Sequence, residues 1–352
     1  MPAPITDPLW LRAEARPTEA RTPLLPEGVA ELLSRGRRVV VEDSETRIVP
    51  TRAYAEAGAI IAEPGSWVDA PPEATILGLK ELPDSSEPLR HRHVMFGHAY
   101  KGQPEGPALL DRFRRGGGRL LDLEYLTDET GRRLAAFGYW AGYAGAAVSV
   151  LVWTAQQTGQ PPAPVARKDS AASWLAEIQA RMVALGGTRP IAIVIGAKGR
   201  VGTGATDLLT ALGIPVTAWD MAETAHGGPF PEIAAHDLFL NCILAGPGVP
   251  VFAPPEILPG PRRLTVIGDI ACDPGAPYNP VPLYDRATTW DAPAVRVHDA
   301  PPLDIMAIDN LPSLLPREAS EDFAGQLLPL LLDPDHPAWH RASARFDAAL
   351  AG

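Results

Sequence analysis

The sequence predicts an α/β protein of two Rossmann-like domains with a cleft between them, the second domain being a doubly wound parallel sheet that binds a dinucleotide. Apolar strand candidates alternate with helical segments along most of the 352 residues, which is typical of parallel sheets covered by helices. One glycine-rich turn lies inside a complete βαβ element in the second half. Between the halves, glycine and prolines over residues 158–164 cannot continue a helix and indicate a surface loop near a domain junction.

The predicted elements follow this alternation in chain order. In the first half they are a helix over 27–34 and strands over 38–41, 75–79, 93–96 and 119–123. In the second half they are helices over 138–157, 170–185 and 205–212, and strands over 191–195, 215–220, 237–244 and 264–270. The amphipathic ending over 340–350 suggests that the C-terminus returns to the first domain. We expect a substrate domain of residues 1–137 plus 317–352 and a dinucleotide-binding domain of residues 138–316.

The helix predicted over 138–157 is unusual because no Asp, Glu, Lys or Arg occurs between Arg133 and Arg167. Such a segment could be a membrane span. Its glycines at 138, 142 and 145 and its serine at 149 lower its hydrophobicity, so a helix buried between the domains is the favoured interpretation.

Composition narrows the possible partners and the compartment. The formal net charge of -11 disfavours nucleic acid and anionic membranes as partners. Cys242 and Cys272 are far apart in sequence, so we expect no metal or redox site and predict that both are buried strand residues in a reducing cytoplasm. The opening residues 1–7 carry prolines and an acid where a secretory signal needs basic residues and an apolar stretch, so export is not expected.

The glycine-rich turn is the candidate dinucleotide site. Gly196, Gly199 and Gly202 follow the spacing G-x-x-G-x-x-G rather than the usual G-x-G-x-x-G. Glycine lets the backbone approach a pyrophosphate, and the start of the next helix offers free N–H groups. Asp220 is predicted to end the following strand, where an acid can bind the ribose hydroxyls and select NAD over NADP. The alternative is a purely structural turn, with Asp220 capping a strand end.

Polar residues in the first half form a candidate chemical site. Lys80 with Glu81, and His98 with Tyr100, Lys101 and Gln103, each follow a predicted strand. Loops at the carboxyl ends of parallel strands converge on one crevice, so we expect these residues, together with Glu124, Arg132 and Arg133, to meet. Taken singly, each has an ordinary alternative: a solvated lysine, a buried histidine with satisfied hydrogen bonds, or arginines on a surface turn.

Motifs along nearly the whole chain resemble those of the L-lysine-forming saccharopine dehydrogenases, and in that family's order. They are RAE at 12–14, RPTEAR at 16–21, GSW at 65–67, GLKELP at 78–83, HAYK at 98–101, GRRLAAFG at 131–138, GAKGR at 196–200, GGPF at 227–230, NCI at 241–243, IDNLP at 308–312 and SLLPREAS at 313–320. The resemblance implies reversible oxidative deamination: saccharopine, NAD and water give L-lysine, 2-oxoglutarate and NADH.

By that resemblance Lys80 is the base that takes the proton from the secondary amine, and His98 is the acid-base group for imine hydrolysis. Cationic neighbours and burial can lower the pKa of a lysine towards neutrality, and the ordinary pKa of histidine is already near neutral pH. The three carboxylates of saccharopine need cations, for which the resemblance and charge point to Arg21, Lys101, Arg133 and Arg16. It also places Gln103 and Phe137 against the substrate, and Glu81 and Glu124 beside the catalytic cations.

On the cofactor side the resemblance implies contacts from both halves of the chain. The residues are Arg132, Gly199, Arg200, Asp220, Thr224, Ile270, Asp309, Asn310, Leu311 and Pro312. The chain departs from the family pattern at Val201, where a cysteine is common, at Leu244, which replaces an aromatic near the cofactor, at Asn310, which replaces a histidine, and at Arg16, which replaces a lysine. None of these removes a proton-transfer group.

Two other functions stay open on the sequence. One is a related opine or alanine-type dehydrogenase acting on another N-substituted amino acid, and the other is a catalytically silent NAD-binding protein. Retention of both Lys80 and His98 argues against the silent protein. The family resemblance favours a monomer, with a dimer as the alternative. Neither the direction of the reaction in the cell nor the exact amino-acid substrate follows from the sequence.

Overall fold

The structure, a computed structural model, describes residues 7–244 and 246–351 and divides the chain into two compact units. The first unit contains residues up to 136 together with those from 319 onward, and the second contains residues 137–318. Residues 1–6, which carry most of the expectation about export, lie outside the described part of the chain.

The strands are β1 (Leu9–Leu11), β2 (Val39–Glu42), β3 (Ile60–Ala62), β4 (Thr75–Leu77), β5 (Arg92–Met95), β6 (Arg119–Asp122), β7 (Ala192–Ile195), β8 (Val216–Trp219), β9 (Leu238–Asn241), β10 (Val266–Asp269), β11 (Val295–Asp299) and β12 (Pro302–Met306). The helices are α1 (Pro26–Ser34), α2 (Thr51–Glu56), α3 (Gly106–Gly116), α4 (Gly138–Gln157), α5 (Ala171–Ala184), α6 (Arg200–Ala211), α7 (Met221–Thr224), α8 (Pro231–Ala235), α9 (Pro316–Leu331) and α10 (Pro337–Ala351).

The sheet of the first unit is parallel throughout and has the strand order β3-β2-β1-β4-β5-β6. The chain moves outward from β1 to β3 and then returns to the other side of β1 with β4. This reversal makes the carboxyl ends of β1 and β4 the topological switch point, where ligands bind in open α/β sheets. Its strands read as apolar runs because both faces are covered, as in Val39–Glu42, which is buried at every position.

The sheet of the second unit has the order β11-β12-β10-β9-β7-β8, and only its edge strand β11 is antiparallel. The reversal here lies between β7 and β9, so the loops after these two strands form the second switch point. The observed arrangement is the α/β fold that the sequence predicts, with two mainly parallel sheets of six strands each.

Helix α4 is the centre of the second unit. Twelve of its residues are buried, and its apolar side chains join those of α5, α6 and the sheet in one core. At Gly142 an added Cβ would collide with the main chain of Val201 in α6, so the two helices pack at a distance that only glycine permits. The predicted burial of this helix is thus confirmed within the second unit, and none of the described helices has the length and apolar character needed to cross a bilayer.

Some sequence expectations were wrong in detail. Helix α6 begins at Arg200 rather than at 205, so Gly202 and Gly204 lie inside it. Strand β9 stops at Asn241, where its pairing with β7 and β10 ends, so Cys242 lies in the loop that follows. Cys272 is also a loop residue, partly exposed and with a positive φ of 37°; the strand placement of both cysteines is therefore corrected.

Candidate active site

Three predicted site residues follow adjacent strands of the first sheet at the same edge. Lys80 comes after β4, His98 after β5 and Glu124 after β6. The three strands are parallel and in register, from the pair Leu77 with Val94 to the pair Met95 with Asp122. Their carboxyl ends therefore carry these side chains to one rim of the sheet.

The loop that carries Lys80 is fixed by residues from the loop after β1. The Glu14 carboxylate accepts the backbone N–H groups of Leu79 at 2.7 Å and of Lys80 at 3.0 Å. The guanidinium of Arg12 donates to the Lys80 carbonyl and forms an ion pair of 3.3 Å with Glu14. Arg12 is only 1% exposed, so this support is buried. Both residues lie in the RAE motif at 12–14, from which the sequence predicts no role for either.

Arg21, a predicted substrate contact, is paired with the carboxylate of Glu19. Its Nε and Nη2 donate to the two oxygens of Glu19 at 2.8 and 2.6 Å, and both side chains are buried. Burial alone would raise the pKa of Glu19, but the hydrogen bonds and charge of Arg21, with a contribution from Lys80, lower it. Glu19 is therefore an ionised acid near Lys80 that the sequence argument missed.

Glu124 forms ion pairs with two of the predicted substrate-binding cations, Lys101 and Arg133. Lys101 Nζ lies 2.8 Å and Arg133 Nη2 lies 3.4 Å from its Oε1. Burial would raise the pKa of Glu124, but Lys101, Arg133 and His98 together lower it. Gln103 accepts the backbone N–H of Lys101 at 2.9 Å through Oε1, which fixes the loop after β5. Lys101, Gln103, Glu124 and Arg133 are thus brought together as predicted.

Arg16 and Glu81 form a second, exposed pair, with Nη2 to Oε1 at 2.7 Å. Burial would raise the pKa of Glu81, but a hydrogen bond from its own backbone N–H, Arg16 and then Lys80 lower it. Lys80 therefore has acids as well as cations around it: Glu81, which the family resemblance places beside the catalytic cations, and Glu19.

Asp122 is a buried acid that the sequence argument missed. It accepts the backbone N–H groups of Gly97 at 3.2 Å and of Glu124 at 2.9 Å, so it ties the loop carrying His98 to the loop carrying Glu124. Burial raises the pKa of Asp122 to about 6. An aspartate at the end of the apolar run Arg119–Asp122 was the available signal.

His98 has an unusual backbone for a residue other than glycine. Its φ is 48°, in the left-handed region, and its exposed ring stacks on Phe96 with the ring centroids 6.3 Å apart. Strain of this kind persists where neighbouring structure enforces it and is common at functional sites.

Arg132 and Phe137 are two further predicted site residues. Arg132 is exposed on the turn that follows Asp128, whose carboxylate accepts its backbone N–H at 2.9 Å. Phe137 belongs to the second unit, where it precedes the first residue of α4.

The second sheet carries the glycine-rich turn at the end of β7. Gly196 has a φ of 86°, and Gly199 is the residue before α6, a helix with no side-chain cap at its start. An added Cβ at Gly202 would collide with the backbone of Gly196 and Ala197, so turn and helix are packed as closely as glycine allows. Arg200 is the first residue of α6. A helix start of this kind can bind an anion through its backbone N–H groups.

Asp220 follows β8 and caps α7 rather than ending the strand. Its Oδ2 accepts the backbone N–H of Lys198 in the glycine-rich turn at 3.0 Å, and its Oδ1 accepts that of Met221 at 2.8 Å. Thr224 donates its hydroxyl to the Asp220 carbonyl at 3.1 Å. The structure thus joins Asp220 and Thr224 to the turn that contains the predicted phosphate site.

The remaining cofactor candidates follow β9, β10 and β12 at the same edge of the sheet: Leu244, Ile270, Asp309, Asn310, Leu311 and Pro312. Their exposure differs. Leu244 is 64% exposed, whereas Ile270 and Leu311 are buried and lie against Gly145 of α4. The side chains of these two residues belong to the core, which leaves their main chain as the part able to contact a ligand.

A buried polar group at the same edge was missed by the sequence argument. Asp269 accepts hydrogen bonds from Asn241 Nδ2 at 2.9 Å and from the Tyr284 hydroxyl at 2.7 Å. Burial raises the pKa of Asp269 and also raises the pKa of Cys272 to about 12, so this thiol is not poised as a thiolate. Among the residues that the structure describes, no cluster of histidine, cysteine or acids could hold a metal ion.

Known proteins match this chain in sequence and in fold. Residues 10–144 match the family model "Alanine dehydrogenase/PNT, N-terminal domain". Saccharopine dehydrogenase [NAD(+), L-lysine-forming] of Neurospora crassa is 46% identical over 97% of this chain and 96% of its own, and that of Yarrowia lipolytica is 46% identical over 99% and 98%. A solved L-alanine dehydrogenase shares the fold, with a TM-score of 0.66 and 15% identity over 96% of this chain and 93% of its own.

Proposed function

The chain belongs to the NAD-dependent, L-lysine-forming saccharopine dehydrogenases, and from this premise we propose how its residues divide the work of the reaction. It is an oxidoreductase that uses NAD to deaminate saccharopine oxidatively to L-lysine and 2-oxoglutarate, a reaction that is reversible. We assign proton transfer to residues of the first unit and NAD binding mainly to residues of the second.

The residues at the carboxyl edge of the second sheet fit a dinucleotide. Gly196, Gly199 and Gly202 would hold the pyrophosphate at the start of α6, where no side chain caps the helix. Asp220 would bind the adenosine ribose, and its hydrogen bond with Lys198 supports this role because it fixes the carboxylate beside the same turn. When bound, NAD supplies the hydride acceptor of the reaction.

The other cofactor contacts that we propose follow neighbouring strands. Arg200 is the first residue of α6, and Thr224 is the last residue of α7. The loops after β9, β10 and β12 contain the others: Leu244, Ile270, Asp309, Asn310, Leu311 and Pro312. From the first unit we propose Arg132. The support is that the second-unit residues share one sheet edge, at the switch point where α/β folds bind nucleotides.

Lys80 is the proposed base for the first step. Its ζ-amino group takes the proton from the secondary amine of saccharopine as hydride leaves the adjacent carbon, which produces an imine. Its position is supported by Glu14, which accepts its backbone N–H, and by Arg12, which donates to its carbonyl. A base whose backbone is fixed in this way loses little entropy when it engages the substrate.

His98 is the proposed acid-base group for hydrolysis. It removes a proton from the water that attacks the imine carbon and returns it to the nitrogen; as the carbon–nitrogen bond then breaks, it passes the hydroxyl proton to the same nitrogen, which leaves as the amino group of lysine. Glu124 lies within electrostatic reach of His98, which supports the proposal because an acid can stabilise the imidazolium form during the reaction.

Substrate carboxylates are the proposed ligands of the cations in the first unit. Arg16, Arg21, Lys101 and Arg133 each pair with Glu81, Glu19 or Glu124. These acids hold the cations in place and reduce their mutual repulsion, which is the supporting role that we propose for Glu81 and Glu124. Gln103 and Phe137 complete the proposed substrate contacts.

We also propose the setting in which the enzyme works. Both thiols are free rather than paired, which supports a reducing cytoplasm. The net charge of -11 supports small-molecule partners over nucleic acid or anionic membranes. A monomer is the proposed state, and sedimentation of the purified chain tests it.

The observation that carries the proposal is the 46% identity over 97% of the chain to an L-lysine-forming saccharopine dehydrogenase. The test follows NADH absorbance with lysine, 2-oxoglutarate and NADH, and omits each in turn. We expect oxidation of NADH only when all three are present. Turnover with another amino acid and none with lysine would favour an opine-type dehydrogenase, and tight NADH binding without any turnover would favour a silent protein.

A further inference from the structure

The first unit has a cavity of about 230 Å³ at the amino ends of its strands, the sheet edge opposite to Lys80. The sheet contributes residues from β4, β5 and β6, and the roof comes from the end of α9 and the first turns of α10. None of the residues proposed for the reaction lies in this cavity.

The strand register places two arginines side by side in the cavity. Arg92 begins β5 and Arg119 begins β6, and the two are direct partners in the parallel sheet. Registered neighbours point to the same face and lie about 5 Å apart. Like charges at such positions repel each other and destabilise the sheet unless something compensates for them.

The surrounding charges compensate only in part. Arg37 also lines the cavity and is paired with Asp7 at 2.7 Å, and Arg119 is paired with Asp347 at 2.9 Å. Arg92 has no hydrogen bond or ion pair with any residue that the structure describes. Asp7 is the sole acid among the described lining residues, against three arginines and a histidine, in a protein whose net charge is -11.

We propose that this cavity is a binding site for a small dianion, either inorganic phosphate or a short dicarboxylate. Arginine guanidinium groups suit both because they donate paired hydrogen bonds to phosphate and carboxylate oxygens. The volume lies below the range of about 300–1,000 Å³ that is typical of ligand pockets, which favours a small ligand. Val94, Leu121 and Leu330 supply an apolar wall that suits the carbon chain of a dicarboxylate.

The test measures binding of inorganic phosphate and of succinate to the full chain by titration calorimetry, at constant ionic strength set with chloride. We expect saturable binding of at least one of them, a loss of affinity of roughly 10-fold or more in Arg92→Gln, and only partial recovery in Arg92→Lys, which restores the charge but not the paired hydrogen bonds. Arg52→Gln is the matched control, because Arg52 is 86% exposed on α2 of the same unit.

The outcomes distinguish phosphate from succinate as the ligand, and they distinguish this cavity from the active site. Binding of phosphate alone, or of succinate alone, identifies which dianion the site prefers. Because Arg92 has no part in the proposed reaction, we expect kcat and KM for saccharopine to be the same in Arg92→Gln and the wild type. The proposal is overturned if neither anion binds, or if Arg92→Gln binds both as well as the wild type does.

Discussion

Glu14 accepts the backbone N–H of Lys80 at 3.0 Å, so the proposed catalytic base is held by an acid 66 positions earlier in the chain. The second carboxylate oxygen accepts the N–H of Leu79 at 2.7 Å. One side chain thus fixes two successive peptide units in the loop after β4. Glu14 does this without needing to touch the substrate, so it acts as a positioning residue.

The first prediction concerns this support. In Glu14→Gln the side chain keeps only one acceptor oxygen, so the loop gains freedom and kcat should fall by roughly 10-fold or more. The KM for NAD should stay unchanged, because the proposed NAD contacts lie elsewhere. Glu45→Gln, an exposed change in the same unit, is the control. Equal kcat in the two variants, at equal thermal stability, would remove the positioning role.

The second prediction concerns the chemical groups. Lys80→Met and His98→Gln each remove a proton-transfer group, and each should lower kcat by roughly 10²- to 10⁴-fold. Binding of NADH, measured by fluorescence titration, should change little in either variant. Wild-type rates in both variants would show that the roles are assigned to the wrong residues.

Much of the fold could be predicted from the sequence because its strands are buried. Strands such as Val39–Glu42 and Ala192–Ile195 are continuous apolar runs, and polar residues follow several strands at the point where a parallel sheet gathers its loops. Lys80, His98 and Glu124 were found in this way. Strands β1, β3, β11 and β12 were missed, and their length does not explain this, because β4 also has only three residues and was predicted.

The acids of the site could not be predicted in the same way. Glu14 and Glu19 lie in the irregular segment after β1, and nothing local shows that one binds the Lys80 loop and the other binds Arg21. In the sequence, Asp122 is only the last residue of a predicted strand. Its hydrogen bond with the backbone of Gly97 forms because β5 and β6 are neighbours in the sheet. Such contacts depend on which strands become neighbours, and a single sequence does not show that pairing.

A third prediction concerns pH and stability. His93 is buried between Trp67 and Phe113, with ring centroids 5.1 and 5.4 Å away, and neither ring nitrogen has a hydrogen-bond partner among the described residues. Burial, followed by the charges of Arg12, His91 and Arg112, holds the pKa of His93 well below 6.5. The unfolded chain therefore binds a proton near pH 6.5 that the folded protein does not bind.

The free energy of unfolding should fall as the pH drops below about 6.5, by up to about 1.4 kcal/mol per pH unit from this residue. In His93→Leu that contribution disappears, so denaturant unfolding between pH 7 and 5 should show a flatter slope than in the wild type. His226→Leu, at an exposed position of the second unit, is the control. An unchanged slope in His93→Leu would contradict the pKa assignment.

A fourth prediction concerns the contact between α4 and α6. An added Cβ at Gly142 would overlap the main chain of Val201, and the backbone cannot yield as a flexible side chain does. Gly142→Ala should therefore lower the free energy of unfolding by roughly 1–3 kcal/mol or more, although alanine is the better helix former. Gly325→Ala, in helix α9 where a Cβ would meet nothing within 4 Å, is the control and should be neutral or stabilising.

The last prediction concerns the choice between NAD and NADP. Asp220 has two tasks in the structure, since it caps α7 and accepts the N–H of Lys198, and a change to alanine removes both tasks together with the charge. Asp220→Ala should weaken NAD binding and relax the discrimination against NADP. Asp220→Asn keeps an oxygen for the cap, because asparagine caps helices about as well as aspartate. It replaces one carboxylate oxygen with an amide NH2 group, so it removes the negative charge that would repel a 2′-phosphate together with one of the two side-chain acceptors.

The ratio of kcat/KM for NAD to that for NADP should thus fall in both variants, and the loss with NAD should be smaller in Asp220→Asn. Asp291→Asn, an exposed change in the same unit, should leave the ratio unchanged. If Asp220→Asn keeps the wild-type ratio while Asp220→Ala loses NAD binding, the carboxylate acts only through the cap of α7 and the turn, and another residue must recognise the ribose.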